Sequence, residues 1–189
     1  SAAPTSTSAI QTRVNGLNVT QFYSVGVAPT NSVSGLTGEY FAAGAQDNGS
    51  QYFGGVSTGE NASIEVQGGD GAASMFDQGT DNYFITNYVY NQRINYRTTG
   101  GATRVINSET TSNGAFISPM ALDTSRDILF SDYTVPGATP VYGIRRYTNL
   151  KSGTVGKTTL TNTTLITSSP TALTVSKYST AATTLLVGF

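Results

Sequence analysis

Ala73-Ser-Met-Phe-Asp-Gln78, with Asn82-Tyr-Phe-Ile-Thr-Asn-Tyr88 behind it, is a short apolar strand, a polar turn and a second strand with an aromatic centre. The phrase recurs loosely along the chain. Upstream, Val25-Gly-Val-Ala-Pro-Thr30 precedes Glu39-Tyr-Phe-Ala-Ala-Gly-Ala45. Downstream, Met120-Ala-Leu-Asp-Thr-Ser125 precedes Asp127-Ile-Leu-Phe-Ser-Asp-Tyr133, and Leu173-Thr-Val-Ser-Lys-Tyr178 precedes Thr183-Thr-Leu-Leu-Val-Gly-Phe189. A period of about 50 residues carrying several short strands is the signature of a β-propeller blade. The reading is therefore all-β, with blades of four antiparallel strands.

Strand signals support it. Gln21–Val27, Tyr83–Tyr90 and Val141–Tyr147 are rich in β-branched and aromatic residues, which favour a pleated surface. No sustained helical spacing of apolar residues is found. Asn15-Gly16, Asn48-Gly49 and Asn113-Gly114 supply the left-handed backbone of tight hairpins. Units are expected near residues 22–70, 71–118 and 119–168, with part of another over 169–189 and an edge strand or linker from a preceding blade over 1–21. The third unit reads as a complete blade: Met120–Asp123 innermost, then Asp127–Tyr133, Val141–Thr148 and Thr158–Asn162. Pro136 and Pro140 fall in its loop, as residues that cannot donate to a ladder should. A propeller closes its ring with four or more blades, and about three plus part-blades are present. The chain is thus expected to be a segment of a larger propeller, completed by the rest of a longer chain or by another subunit. A small open β-sandwich is the competing architecture.

Composition removes several kinds of function. Charged residues are 11% and the net charge is −1, which argues against nucleic-acid and anionic-membrane partners, both of which need a concentrated basic surface. Neither cysteine nor histidine occurs, so disulfides, thiolate chemistry, Ser-His-Asp triads and nearly all zinc sites are excluded. No cofactor or metal is expected. No run approaches the roughly 20 apolar residues of a membrane span, and Ser1-Ala-Ala-Pro-Thr-Ser-Thr-Ser8 lacks the basic start and apolar core of a signal peptide. The Thr-, Ser-, Asn- and Gly-rich polarity is that of turn-rich β proteins working outside cells, so a secreted or cell-surface location is expected.

Three phrases carry a family resemblance. Ala43-Gly-Ala-Gln-Asp-Asn-Gly-Ser-Gln51, Gly68-Gly-Asp-Gly71 and Tyr96-Arg-Thr-Thr-Gly-Gly-Ala-Thr-Arg104 resemble, in order and spacing, the motifs of bacterial sialidase-like (BNR, or Asp-box) and sortilin-like propellers. Asn18-Val-Thr-Gln-Phe-Tyr23 sits where that family often has a "Q-F-Y" strand. Two features depart from the pattern. The Asp-box aspartate is missing between Thr99 and Gly100, and Arg104 stands in place of the closing tryptophan. The resemblance implies secreted glycosidases, sorting receptors or large bacterial surface proteins, and the fold does not choose among them.

Asp47 and Asp70 are the carboxylates to weigh first, as ligand or cation contacts or as half of a glycosidase pair. Turn and backbone capping compete with that role. Asp123 and Asp132 are further carboxylates for such a pair. The dense aromatics Tyr83, Phe84, Tyr88, Tyr90 and Tyr96 suit sugar stacking or packing between blades; Tyr88 and Tyr90 join Asp47 and Asp70 as candidate ligand-binding residues. Sialidase chemistry needs an arginine cluster and a Tyr–Glu pair, and Arg145-Arg146 point to opposite faces of one strand. Sequons at Asn18, Asn48, Asn61 and Asn162 can arise by chance in such a composition. The expectation is a non-catalytic binding or structural module of a secreted or surface bacterial protein, in adhesion or surface assembly, with a glycan or surface protein as ligand. The alternative is part of a secreted glycoside hydrolase using an Asp pair on polysaccharide.

Overall fold

The computed structural model describes residues 20–56, 63–178 and 181–189. The expected edge strand or linker over residues 1–21 lies, up to residue 19, outside the described residues. Asn15-Gly16 and the sequons at Asn18 and Asn61 lie outside them too.

The described chain is all-β, with one short helix α1 (Asn31–Ser34) and one 3-10 turn (Val89–Asn91). The first sheet holds β1 (Ser24–Val27), β2 (Glu39–Ala45), β3 (Gly49–Val56) and β4 (Ser63–Gln67). The second holds β5 (Gly71–Phe76), β6 (Tyr83–Tyr88), β7 (Arg93–Thr98) and β8 (Thr103–Ser108). The third holds β9 (Met120–Asp123), β10 (Ile128–Asp132), β11 (Ile144–Thr148) and β12 (Gly156–Leu160), and β13 (Ala172–Val175) pairs with β14 (Leu185–Gly188). Every sheet is an antiparallel meander in chain order.

Strand alternation decides how the sheets meet. In the second sheet Phe76 lies opposite Phe84 and Met75 opposite Ile85, so the two pairs face opposite ways. Phe76 and Phe84 pack with Ala42 and Tyr52 of the first sheet, the Phe84 ring stacked 4.7 Å from Tyr52 and 5.0 Å from Phe76. Tyr83, Ile85, Ile94 and Tyr96 face the other way, onto Met120, Leu129, Tyr147 and Leu150 of the third sheet. Ile128, Phe130 and Ile144 then point onward to Leu173, Val175, Leu185 and Val187. An inner sheet covered on both faces needs apolar residues at odd and even positions alike. That is why β6 reads as an almost unbroken apolar run. Each large side chain buried this way contributes about 1.5–3 kcal/mol.

The first strand of every sheet lines one open concavity of about 430 Å³, which takes in Val25, Met75, Ala121 and Thr174. Because the strands alternate in direction, the β2–β3, β4–β5, β6–β7, β8–β9 and β10–β11 connections all gather at one end of the stack. The β1–β2, β5–β6, β7–β8, β9–β10 and β11–β12 turns gather at the other.

Local details differ from the sequence expectations. The strands expected over Gln21–Val27, Val141–Thr148 and Thr158–Asn162 run over Ser24–Val27, Ile144–Thr148 and Gly156–Leu160. β6 stops at Tyr88 rather than continuing to Tyr90, since Tyr90 and Asn91 take φ 55° and 56°, outside any strand geometry. Asn113-Gly114 does not close a hairpin. It lies in the long β8–β9 connection, where Gly114 has φ 105° and donates its N–H to the Thr134 carbonyl at 2.7 Å. Asn48-Gly49 does sit in the β2–β3 hairpin, with Asp47 at φ 59° and Gly49 at 67°. Pro136 and Pro140 lie in the β10–β11 connection, pinned by the Val135–Val141 bridge.

Candidate functional site

Asp47 and Asp70 are brought together by two neighbouring turns. The Asp47 N–H donates to Asp70 Oδ1 at 3.0 Å, and the Gly49 N–H to the Gly69 carbonyl at 2.7 Å. The Asp70 carboxylate therefore caps backbone and clasps the β2–β3 turn to the β4–β5 turn. Asp47 itself is exposed and lines a polar hollow of about 340 Å³ with Gln21, Tyr23, Gln46 and Asn48. On its rim the Tyr23 hydroxyl donates to Gln46 Oε1 at 2.5 Å.

Tyr88 and Tyr90 part company at the end of β6. Tyr88 lies half-buried against Gly69, where a Cβ would come within 2.7 Å of the ring, and lines a groove of about 450 Å³ between the first and second sheets. Tyr90, turned by its positive φ, meets Phe116 edge-on at 5.3 Å, and Phe116 meets Tyr23 at 6.2 Å. The other aromatics of the expected sugar platform are core residues: Tyr83 and Phe84 are wholly buried and Tyr96 nearly so.

Asp123 and Asp132 are buried and spend their oxygens on neighbours. Asp132 Oδ1 accepts the Thr134 N–H and hydroxyl at 2.9 and 2.7 Å, and Oδ2 accepts the Ala115 N–H at 2.9 Å. Asp123 Oδ1 accepts the Ser125 N–H and hydroxyl at 3.1 and 2.7 Å, while Oδ2 accepts from Arg126 and Thr183. Burial works to raise the Asp123 pKa, but the Ser125 and Thr183 hydrogen bonds and the Arg126 charge outweigh it and hold the carboxyl below its usual value.

Sequence reasoning passed over two clusters at this end. In one, Glu109 accepts from Arg145 at 3.3 Å, from Asn113 Nδ2 at 2.9 Å and from the Tyr133 hydroxyl at 3.2 Å. The Arg145 guanidinium lies flat over the Tyr133 ring, 3.5 Å from its centroid. This is a Tyr–Glu pair beside an arginine, the pairing a sialidase nucleophile needs. Burial nevertheless pushes the Tyr133 hydroxyl above its ordinary pKa against the lowering effect of Arg145, so the phenol stays protonated. The second cluster centres on buried Asn91, whose Nδ2 donates to the Asn113 and Asp132 carbonyls and to Ser118 Oγ. Little local marks either one: Glu109 and Asn91 sit in connections, each has one partner four residues away, Asn113 and Asn87, and the other partners of their side chains lie tens of residues away. The alternation that places Arg145 and Arg146 on opposite faces was the one available hint.

The opposite end carries a charged clamp. Lys151 reaches Asp81 Oδ2 at 2.7 Å and Asp127 Oδ2 at 2.8 Å, and Asp127 Oδ1 accepts the Tyr83 hydroxyl at 3.0 Å. The hydrogen bonds to Asp127 and Asp81 raise the Lys151 pKa, and burial followed by the Asp127 charge raises that of Tyr83.

Among the described residues no group of three or more His, Cys, Asp or Glu side chains is placed to hold a metal ion. No helix among them is long and apolar enough to cross a membrane. Compared with known proteins, the chain matches no family model and no curated protein.

Proposed function

We propose that this chain is a segment of a β-propeller that acts as a non-catalytic binding or structural module of a secreted or cell-surface bacterial protein, in adhesion or surface assembly. The observation that carries the reading is the state of the two end sheets. Register makes Val27, opposite Phe41, the counterpart of Phe76, opposite Phe84. Phe76 is 3% exposed and Val27 51%. At the far end Leu186 occupies the place of Ile85 and Phe130, which are 1% and 4% exposed, yet is itself 55% exposed. Each end face thus presents the apolar positions that the inner sheets use against a neighbour, and both await a further sheet from the rest of a longer chain or from another subunit. The concavity shared by the four first strands is the wall a central channel requires.

The resemblance to sialidase-like and sortilin-like propellers belongs to the same proposal. At the turn without its aspartate, Thr98 Oγ1 accepts the Ala102 N–H at 3.1 Å and so supplies a side-chain cap. Arg104, where a tryptophan closes the family motif, lays its guanidinium over Tyr96 at 4.7 Å. A non-catalytic role is supported by the capping duties of Asp70, Asp123 and Asp132, which are those of turn residues rather than of a carboxylate pair across a sugar cleft.

Electron microscopy of the natural polypeptide, read beside its intact mass, tests the proposal. A ring of sheets around a channel is expected, with a mass well above 19.7 kDa or a subunit assembly that covers Val27 and Leu186. A monomer of 19.7 kDa with both end faces open to solvent refutes it.

A further inference from the structure

We infer that the groove between the first and second sheets binds an acidic saccharide, a glycan carrying hexuronate carboxylates, with Arg93 as its anchor. The inference gives the binding module proposed above its ligand and rests on that reading.

Pairing across the second sheet places the groups. Asn87 lies opposite Ile94 at the end of β6, so the next positions, Tyr88 and Arg93, are neighbours, and Arg93 lies directly opposite Ser108. Tyr88, Arg93 and Ser108 therefore form a row across three strands at one level, with Asn95 two residues further along the same face of β7. That face looks toward the first sheet, as the 3.1 Å bond from Asn95 Nδ2 to Gln67 Oε1 requires. All four residues line the groove of about 450 Å³, a volume within the range of small-ligand sites.

What distinguishes the row is which groups are already committed. Gln67, on the opposite wall, is largely committed: its Oε1 accepts from Thr86 at 2.7 Å and from Asn95, and one N–H of its Nε2 donates to the Arg93 carbonyl. Glu109 at the rim is held by Arg145, Asn113 and Tyr133, so its charge is balanced within the protein. Among the described residues, by contrast, the Arg93 guanidinium, the Tyr88 and Ser108 hydroxyls and the Asn95 side-chain oxygen have no protein partner. The groove thus offers one unopposed guanidinium, two hydroxyls and an amide oxygen around a tyrosine ring.

Chemistry selects the occupant. A free guanidinium takes a carboxylate in a two-pronged bond, the hydroxyls and the amide oxygen suit vicinal sugar hydroxyls, and the flat Tyr88 ring suits a pyranose face. An acidic peptide would want pockets for apolar anchors, and Val66 is the one aliphatic side chain on the lining.

The test is isothermal titration of the intact chain with a hexuronate trimer, with the corresponding neutral hexose trimer and with hexaglutamate. The variants are Arg93→Gln and, as a charge-matched change on another sheet, Arg146→Gln. The uronate is expected to bind at least about tenfold more tightly than the neutral sugar, since the carboxylate bond to arginine is charge-assisted. Arg93→Gln should remove that margin and Arg146→Gln should leave it. Arg93 is exposed, so unchanged thermal unfolding shows that its variant remains folded. Equal binding of the two sugars, indifference to Arg93→Gln, no uronate binding at millimolar concentration, or preference for hexaglutamate would each overturn the inference. A natural polypeptide that forms a ring but ignores the uronate sinks this inference alone. A bound uronate on a chain that forms no ring sinks only the propeller proposal.

Discussion

Gly44 lies so close to Ala72 that a Cβ added to it would stand 2.1 Å from the Ala72 carbonyl oxygen and 2.7 Å from its nitrogen. This is backbone against backbone, where β2 of the first sheet meets β5 of the second. The neighbour cannot rotate away as a side chain would. Gly44→Ala must therefore push the first two sheets apart at the seam that Phe76, Phe84 and Tyr52 fill. A loss of about 3 kcal/mol in urea unfolding is expected, the upper part of the range for overpacking. Gly137→Ala, at a loop position with nothing within 4 Å, should change stability by less than about 0.5 kcal/mol. Equal effects of the two would show that the seam is looser than described.

Tyr83 is fully buried and its hydroxyl reaches Asp127 at 3.0 Å, so one phenol joins the core of the second sheet to the clamp at the end of the third. Tyr83→Phe keeps the ring packing and removes the bond to a charged acceptor, at an expected cost of about 1.5–3 kcal/mol. Lys151→Met removes a more exposed partner of the same carboxylate, 42% exposed, and should cost under about 1 kcal/mol. Thermal denaturation of the two variants compares them directly. A larger loss for Lys151→Met would reverse the ranking of buried over exposed contacts.

Asp123 makes stability depend on acid. Its folded pKa lies below the unfolded value because the Ser125 and Thr183 hydrogen bonds and the Arg126 charge overcome burial. The ionised form is thus favoured by folding, and the contribution is complete above the ordinary aspartate value of about 4. It is lost as the pH falls from there through the folded pKa. Unfolding free energy measured between pH 6 and 2 should fall less steeply for Asp123→Asn than for the unaltered chain. Parallel acid limbs for the two proteins would show that another carboxylate governs the transition.

The strands were legible in the sequence because burial on one or both faces writes itself into alternation. Met120–Asp123 opens the third sheet as expected, and the Phe84–Ile85 pair announces a strand covered on both sides. The site was legible only where local chemistry dominates. Asp47 and Asp70 do occupy neighbouring turns, since Gly-flanked aspartates seek nearby N–H groups. Tyr88 and Tyr90 look alike in sequence, yet the positive φ of Tyr90 sends them to different surroundings. Arg93, Ser108 and Glu109 could not be grouped beforehand, because their proximity depends on the β7–β8 register and on how one sheet leans on the next.

Asn91 supplies the sharpest case of a residue whose weight is set by fold rather than pattern. It holds φ 56°, a conformation that asparagine tolerates better than most residues. Its amide, 1% exposed, donates to Ser118 Oγ at 2.8 Å, to the Asn113 carbonyl at 3.2 Å and to the Asp132 carbonyl, and accepts from Asn87 at 2.9 Å. One side chain thus ties the β6–β7 turn to the long β8–β9 connection and to the end of β10. Asn91→Ala leaves those acceptors without a donor in the interior and strains the backbone, so a loss of about 3–4 kcal/mol is expected. Asn91→Asp should be worse, because a carboxylate of the same shape faces two carbonyl oxygens it cannot donate to. Hydrogen exchange locates the damage: protection of the Tyr90 N–H, bonded to the Phe116 carbonyl, should fall well before that of the Phe84–Arg97 pair in mid-sheet. An Asn91→Ala protein within about 0.5 kcal/mol of the original, with Tyr90 still protected, would mean that the two connections and the end of β10 hold together without it.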